Sequence, residues 1–220
     1  MNATMNAEEL VLQSGALEGE TAERILGWAA ELAGERLVVT SSFSDAVLVH
    51  LVHHVIPSAR VVFIDTGFHF PETLAFVDRI ARRYDISVEK VSAGLPADVS
   101  PCGSPDCCQR RKVDPLAGVL AGQTAWVTGI RRDETPERSD SPIVSFDERY
   151  GVIKVNPLAN WTDDDVAGYM ERHTLPVHPL VFEGYLSIGC APVTAPVADP
   201  DDPRSGRWPG SDKTECGLHF

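Results

Sequence analysis

The sequence contains no run of about 18 apolar residues, so it predicts no membrane-spanning helix. Its start, MNATMNAEELVLQSG, lacks the basic end and following apolar stretch that are typical of a secretory signal peptide. Basic residues are scarce, with 19 Lys and Arg against 32 Asp and Glu and a formal net charge of −13. This balance argues against nucleic-acid binding, and we expect a cytoplasmic protein without membrane or nucleic-acid partners.

The length of 220 residues suits one substantial hydrophobic core. The acidic composition does not exclude a small anionic substrate, because a few Arg side chains in one pocket can dominate the local field. Five cysteines in a reducing compartment are typical of catalysis or metal binding, since structural disulfides form mainly in oxidising compartments.

Apolar runs that alternate with amphipathic segments predict an α/β fold with a Rossmann-like, doubly wound parallel sheet. The expected strands cover residues 36–40, 59–64, 86–91, 125–129 and 152–155. The expected helices cover residues 7–34, 46–55, 71–84, 115–121 and 161–173. From about residue 192 the chain is rich in Pro, Gly and Asp without periodicity, which predicts a mobile C-terminal tail or lid. We therefore expect an N-terminal helical segment, an α/β domain and a tail, at residues 1–35, 36–190 and 191–220.

In doubly wound sheets, ligands bind at the carboxyl ends of the strands. Two such ends read TSSFSD and IDTGF, and their hydroxyl and backbone N–H groups either hold a phosphate or simply cap the next helix. A third end reads GIRRDE, in which Arg131 and Arg132 either bind an anion in bidentate fashion or belong to a solvated loop. The first loop lacks the glycines of the SGGxDS loop of ATP pyrophosphatases, so ATP cleavage is not indicated.

Two groups of cysteines differ in their surroundings. Cys107 and Cys108 are adjacent, precede the basic run RRK and are joined much later by Cys190, a pattern that suits an iron–sulfur cluster better than a single zinc ion. The alternative is a set of buried, unreactive thiols. Cys216 lies in KTECGLHF near the end of the tail, where Lys213 and His219 can lower the pKa of an accessible thiol. The alternative there is an ordinary free thiol.

Eight segments occur in the order known from one enzyme family, from about residue 36 to the end. They are TSSFSDAVLVH, IDTGFHFPET, CCQRRKV, WVTGIRRDETPERS, VIKVNPLANWTDDDV, SIGCAP, RSGRW and KTECGLH. The chain thus resembles the bacterial adenosine 5′-phosphosulfate reductases of assimilatory sulfate reduction, which serves cysteine biosynthesis. The Cys-Cys pair and the ECGLH segment are the most specific parts of the resemblance.

The resemblance implies an adenine-nucleotide α-hydrolase-like fold and a two-step thiol reaction. The Cys216 thiolate would attack the substrate sulfur, AMP would leave, and an S-sulfocysteine would form. Thioredoxin, or a glutaredoxin-like donor, would then release sulfite. The residues expected to bind the substrate are Ser41, Ser42, Phe43, Ser44, Asp65, Thr66, Gly67, Lys112, Arg131, Arg132, Arg204, Arg207, Lys213 and His219.

The resemblance also implies a [4Fe-4S] cluster, held by Cys107, Cys108 and Cys190. The family's fourth ligand completes a Cys-x-x-Cys motif, but this chain has Val193 at that position. Three alternatives follow: Cys102 replaces the ligand, one iron carries a non-protein ligand, or the cluster is absent. We expect a cluster, because three ligands and their basic neighbours remain.

Three other functions are compatible with parts of the sequence. The same reaction on the 3′-phosphorylated substrate is typical of relatives that lack the cysteine pair. A degenerate nucleotide-binding or metal-sensing protein would keep the fold, but the intact RSGRW and KTECGLH segments argue against it. An ATP-dependent adenylyltransferase is disfavoured, because the SGGxDS loop is missing.

Overall fold

The structure is a computed structural model that describes residues 5–197, 199, 202–211 and 213–219. The chain divides into two compact units. The first contains the described residues up to Ser41, Val47–Val61 and Leu120–Leu175. The second contains Ser42–Ala46, Val62–Val119 and the described residues from Pro176 onwards. Among the described residues, no helix is long and apolar enough to cross a membrane.

The sheet has six strands in the order β3-β2-β1-β4-β6-β5. They are β1 (Leu37–Thr40), β2 (Arg60–Asp65), β3 (Val88–Ser92), β4 (Ala125–Val127), β5 (Val144–Asp147) and β6 (Val152–Val155). Strand β4 pairs in parallel with β1 and β6, with Ala125 opposite Leu37 and Ile153. The expected α/β fold is confirmed, with one addition. Strand β5, which the sequence analysis missed, pairs with β6 in antiparallel fashion.

The helices follow the expected order. They are α1 (Ala7–Leu17), α2 (Ala22–Ala33), α3 (Val47–Val55), α4 (Pro71–Tyr84), α5 (Asp114–Leu120) and α6 (Asp163–Arg172). The single helix expected over residues 7–34 is wrong, because the chain turns between α1 and α2 and Thr21 caps the second helix through its hydroxyl. A π-helical turn, Gln109–Val113, joins the Cys107-Cys108 pair to α5.

The first unit is held together by a strongly apolar sheet core. Strands β1, β4 and β6 are buried at every residue, as expected for parallel strands covered on both faces. The indole of Trp126 is fully buried and donates a hydrogen bond to Thr40 Oγ1 at 2.8 Å. On the helix side, His50 Nδ1 lies 2.8 Å from the hydroxyl of Tyr169.

In the second unit, the C-terminal segment folds back on itself. Thr194 and Arg207 form an isolated antiparallel bridge, and the Trp208 amide donates to the Val193 carbonyl at 2.9 Å. The Ala195 amide also donates to the carbonyl of Gly206 at 2.8 Å. The described part of the predicted tail therefore has defined hydrogen bonds, while its mobility during a reaction cycle stays a prediction.

Candidate active site

The loop after β1 contributes Ser42–Ala46 to the second unit. The hydroxyls of Ser42 and Ser44 lie 3.0 Å apart, and Ser44 donates to the Ile188 carbonyl at 3.5 Å. Phe43 is fully buried, has a φ of 55° and packs edge-on against Phe63 at 5.8 Å between ring centroids. A left-handed backbone at a bulky residue costs on the order of 1–3 kcal/mol, and such strain is concentrated at functional sites.

The loop after β2 forms a tight turn next to a cysteine. The Gly67 amide donates to the Asp65 carboxylate at 2.8 Å, and Gly67 itself has a φ of 77°. The Thr66 hydroxyl accepts from the Phe68 amide at 3.2 Å and lies 3.3 Å from the Cys190 sulfur. The turn therefore carries a polar side chain directly to the Cys190 thiol.

Arg111 links this turn through hydrogen bonds to the segment that precedes the cysteine pair. It is 3% exposed, and its guanidinium donates to the carbonyls of Thr66 at 3.0 Å and Ser100 at 2.9 Å. Further hydrogen bonds reach the carbonyls of Leu95, Pro96 and Val99. The sequence analysis did not single out Arg111, because nothing in the run RRK distinguishes it from the half-exposed Arg110.

Four cysteines line one pocket of about 230 Å³ in the second unit. They are Cys102, Cys107, Cys108 and Cys190, and Val193 lies among them. Four cationic side chains, Arg111, Lys112, Arg207 and Lys213, line the same pocket. Lys213 Nζ donates to the Cys108 sulfur at 3.3 Å. The pocket thus combines thiols with positive charge, as a site for thiolates or anions requires.

Hydrogen bonds and charges make the thiols of this pocket unequal. The hydrogen bond from Cys102 lowers the pKa of Cys190, with further help from the Lys112 ammonium and the Thr66 hydroxyl. The same hydrogen bond, together with burial, raises the pKa of Cys102. Burial by itself would lower the pKa of Lys112, but the negative charges of Cys216 and Cys190 outweigh burial and raise it. Cys190 is therefore the more acidic of these two thiols, and Lys112 keeps its charge.

Arg207 occupies the space that a side chain at residue 189 would fill. A Cβ added at Gly189 would lie 2.5 Å from Arg207 Cζ and 3.0 Å from Nε, far inside normal contact distances. The guanidinium stacks on Trp208 at 4.6 Å and donates to the Ser187 hydroxyl at 3.4 Å. Its Nε is buried and has no hydrogen-bond partner among the described residues. Arg207 is thus a positioned cation with one donor available for an anion.

The chain end with Cys216 is anchored by Arg204. The Arg204 guanidinium donates to the Thr214 carbonyl at 3.0 Å and pairs with the Glu215 carboxylate at 3.4 Å. Cys216 is half-buried, and a negative charge on its thiol acts on both Lys112 and Arg207. The structure therefore brings the predicted nucleophile and two of the predicted anion-binding residues into one electrostatic site.

Comparisons with known proteins identify the family of this chain. Residues 36–196 match the family described as the phosphoadenosine phosphosulfate reductase domain. The chain belongs to this reductase family. A Streptomyces coelicolor protein named adenosine 5′-phosphosulfate reductase is 46% identical over 212 residues, covering 92% of this chain and 90% of that protein.

Solved structures confirm the expected fold of this reductase-family chain. The crystal structure of phosphoadenylyl-sulfate (PAPS) reductase from Candida auris, in a phosphate complex, has a TM-score of 0.77 at 25% identity. That likeness covers 89% of this chain and 100% of the other. Candida glabrata FMN adenylyltransferase has a TM-score of 0.62 at 16% identity, over 88% of this chain and 67% of the other, and shows the fold alone.

Three of the predicted substrate-binding residues lie in the first unit of the reductase-family chain. Arg131 pairs with Asp163 at 2.6 Å, and Arg132 pairs with Glu18 and donates to the Ser141 carbonyl at 2.8 Å. Both guanidinium groups therefore have carboxylate partners within that unit. Ser41 ends the first stretch of the same unit, whereas the other predicted substrate-binding residues, including His219, belong to the second.

The cysteine pocket of the reductase-family chain has the sulfur donors that a [4Fe-4S] cluster requires. Among the described residues, no group of three or more His, Cys, Asp or Glu side chains is arranged to hold one metal ion. A [4Fe-4S] cluster instead takes one thiolate on each of four irons. Four thiols that line one pocket beside four cations fit that requirement.

Proposed function

We propose that the chain reduces adenosine 5′-phosphosulfate to sulfite and AMP in assimilatory sulfate reduction. The observation that supports this proposal is the site formed by Cys216, Lys112 and Arg207, in which a thiolate at Cys216 would act on two cations. The 46% identity to a protein named adenosine 5′-phosphosulfate reductase supports the same substrate.

The proposed first step transfers the sulfo group to Cys216. The Cys216 thiolate attacks the substrate sulfur, a new S–S bond forms, and the bond between that sulfur and the phosphate oxygen breaks. AMP leaves with the electron pair of the broken bond, and the enzyme carries an S-sulfocysteine. Lys112 and Arg207 would pair with the sulfo and phosphate oxygens as negative charge moves onto the leaving phosphate.

The proposed second step consumes a dithiol, and thioredoxin or a glutaredoxin-like protein is the proposed donor. One donor thiolate attacks the Cys216 sulfur, and sulfite leaves with the electron pair of the S–S bond. The second donor thiol then resolves the mixed disulfide, so the donor is oxidised to a disulfide and Cys216 becomes a thiol again. The Arg204 contacts to Thr214 and Glu215 would have to open for this attack, which gives the tail its role as a lid.

The adenosine end of the substrate is proposed to lie at the two strand-end turns. Ser42, Ser44 and the Asp65–Gly67 turn offer hydroxyl, carboxylate and backbone N–H groups there. The reaction belongs in the cytoplasm in this proposal, since all five cysteines are free thiols and such thiols persist in reducing compartments.

We further propose that the cysteine pocket holds a [4Fe-4S] cluster, with Cys107, Cys108 and Cys190 among its ligands. A cluster bound there would supply a fixed negative charge next to Lys112 and Lys213 and would join Cys190 to the cysteine pair. With the cluster bound, Lys112 and Arg207 would still bind and orient the anionic substrate.

The Cys216→Ser variant tests the proposed function. It should lose sulfite release yet keep AMP binding, because a serine hydroxyl is a poor nucleophile at neutral pH. Wild-type protein incubated with substrate and no dithiol should carry a sulfo adduct on Cys216 in peptide mass spectrometry. Normal turnover by the serine variant would contradict the mechanism.

Substrate choice is measured in the same assay. We expect a higher kcat/KM for adenosine 5′-phosphosulfate than for its 3′-phosphorylated form. The 25% identity to a PAPS reductase keeps the 3′-phosphorylated compound as the second candidate. A clear preference for that compound would reverse the assignment.

A further inference from the structure

Cys102 is the one thiol of the pocket to which the proposed function assigns no role. Its neighbour Gly103 faces Val193, because a Cβ added at Gly103 would lie 3.6 Å from Val193 Cγ1. Valine has no atom that binds iron, so residue 193 cannot ligate. Cys102 and Gly103 therefore lie beside Val193, the position of the pocket where the family's fourth ligand is missing.

The Cys102 thiol lines one pocket with the other three thiols, those of Cys107, Cys108 and Cys190. It interacts with both Cys190 and Cys107. Side chains that line one pocket face the same volume, so all four sulfur atoms are available to one cluster. Binding iron would replace the thiol protons, since a cluster takes thiolates and releases the protons of its ligands.

The segment around Cys102 is held rigidly before any metal arrives. Ser100 donates through its hydroxyl to Asp106 at 2.5 Å, and its carbonyl accepts from the buried Arg111. The Ser104 amide donates to the Pro101 carbonyl at 2.9 Å, and the Cys107 amide donates to the Ser104 carbonyl at 3.2 Å. These hydrogen bonds flank Cys102 on both sides, so little freedom is lost when its thiolate binds iron.

We propose that Cys102 is the fourth protein ligand of the cluster and takes the role that a cysteine at residue 193 would have. This inference rests on the cluster of the proposed function. The ligand set is Cys102, Cys107, Cys108 and Cys190. Lys112 and Lys213 offset the negative charge that four thiolates bring to the pocket.

The first test measures iron and sulfide in anaerobically purified protein. Cys102→Ala should lose iron on exposure to air about tenfold faster than the wild type or more, because one iron is then open to solvent. Cys102→Ala combined with Val193→Cys should restore slow loss, since both positions face the same part of the pocket. Cys216→Ser is the matched control, a cysteine removed outside the ligand set, and should leave iron content unchanged. Equal iron retention in the wild type and in Cys102→Ala would overturn the proposal.

A second test reads the thiols directly and is independent of activity. Alkylation followed by peptide mass spectrometry should show Cys102 protected in the iron-loaded protein and modified after chelation, whereas Cys216 is modified in both. Cys102→Ser keeps the size of the side chain, and its melting temperature is compared with that of the wild type. A lower melting temperature would show that the substitution impairs folding. Alkylation of Cys102 in iron-loaded, folded protein would refute its role as a ligand.

The outcomes separate this inference from the function on which it rests. Iron-free wild-type protein that still forms sulfite, or a Cys102–Cys190 disulfide in anaerobic protein, overturns the cluster and leaves the reaction in place. Iron bound through Cys102, together with normal turnover by Cys216→Ser, supports the ligand and refutes the reaction.

Discussion

The close packing of the Arg207 guanidinium against Gly189 predicts that a side chain at residue 189 would displace Arg207. In Gly189→Ala the new methyl would overlap the guanidinium, since it would lie 2.5 Å from Cζ where carbon atoms normally stay about 3.5–4.0 Å apart. The backbone of Gly189 has no positive φ, so alanine fits the backbone there. The overlapping atoms belong to the far end of a flexible side chain. We therefore expect Arg207 to move by about 1 Å or more while the fold persists.

The expected consequence is a loss of kcat/KM of about 100-fold, because a misplacement of about 1 Å in a positioned charge has an effect of that size. The assay is sulfite release from adenosine 5′-phosphosulfate with a dithiol donor, combined with thermal unfolding and AMP binding. Gly118→Ala is the matched control. Gly118 lies in α5 with no atom within 4 Å of an added Cβ, so this variant should keep full activity and gain stability of about 1 kcal/mol or less.

A double-mutant cycle shows whether the loss acts through Arg207. Once Arg207→Ala has removed the guanidinium, adding Gly189→Ala should cost nothing more. Two changes whose effects simply add would refute the reasoning. So would full activity of Gly189→Ala, or a loss of activity that is matched by a fall in melting temperature.

Three further predictions concern stability. Arg111→Lys should lower the free energy of unfolding by about 3 kcal/mol or more in urea titrations. The guanidinium binds five carbonyls at about 1.5–3 kcal/mol each, and an ammonium cannot reach all of them. The control variant Arg110→Lys should have little effect. Burial lowers the pKa of His50 and of His178 to about 4, so between pH of about 6.5 and 4 the unfolded chain binds protons that the folded chain does not. The urea concentration at the midpoint of unfolding should therefore decrease as the pH is lowered through that range and stay constant above it. A midpoint that does not change with pH would contradict the neutral state of both rings. Gly206→Ala places its methyl against a backbone carbonyl that cannot move aside, so limited proteolysis should cut the C-terminal segment faster than in the wild type.

Much of the fold followed from local pattern. Pro71–Tyr84 and Val152–Val155 have the bounds that the sequence predicts, because an N-terminal proline and an uninterrupted apolar run are strong local signals. Strand β5 was missed, since four residues with half-exposed Phe146 carry little periodicity, and pairing with β6 decides their conformation. The break between α1 and α2 depends on the Thr21 cap, a signal that the longer helical pattern obscured.

The sequence by itself determined the chemistry that the chain carries: a cysteine near its end with basic neighbours, an adjacent cysteine pair, and a valine at the family's fourth ligand position. Only the tertiary structure decided which of these groups meet. It placed Cys102 beside Val193 and in one pocket with Cys190. It buried Arg111 but not Arg110, and it packed the Arg207 guanidinium against Gly189. The physical reason is that residue type fixes what a group can do, whereas hydrogen bonding and packing between segments far apart in the chain fix its neighbours, its burial and its charge.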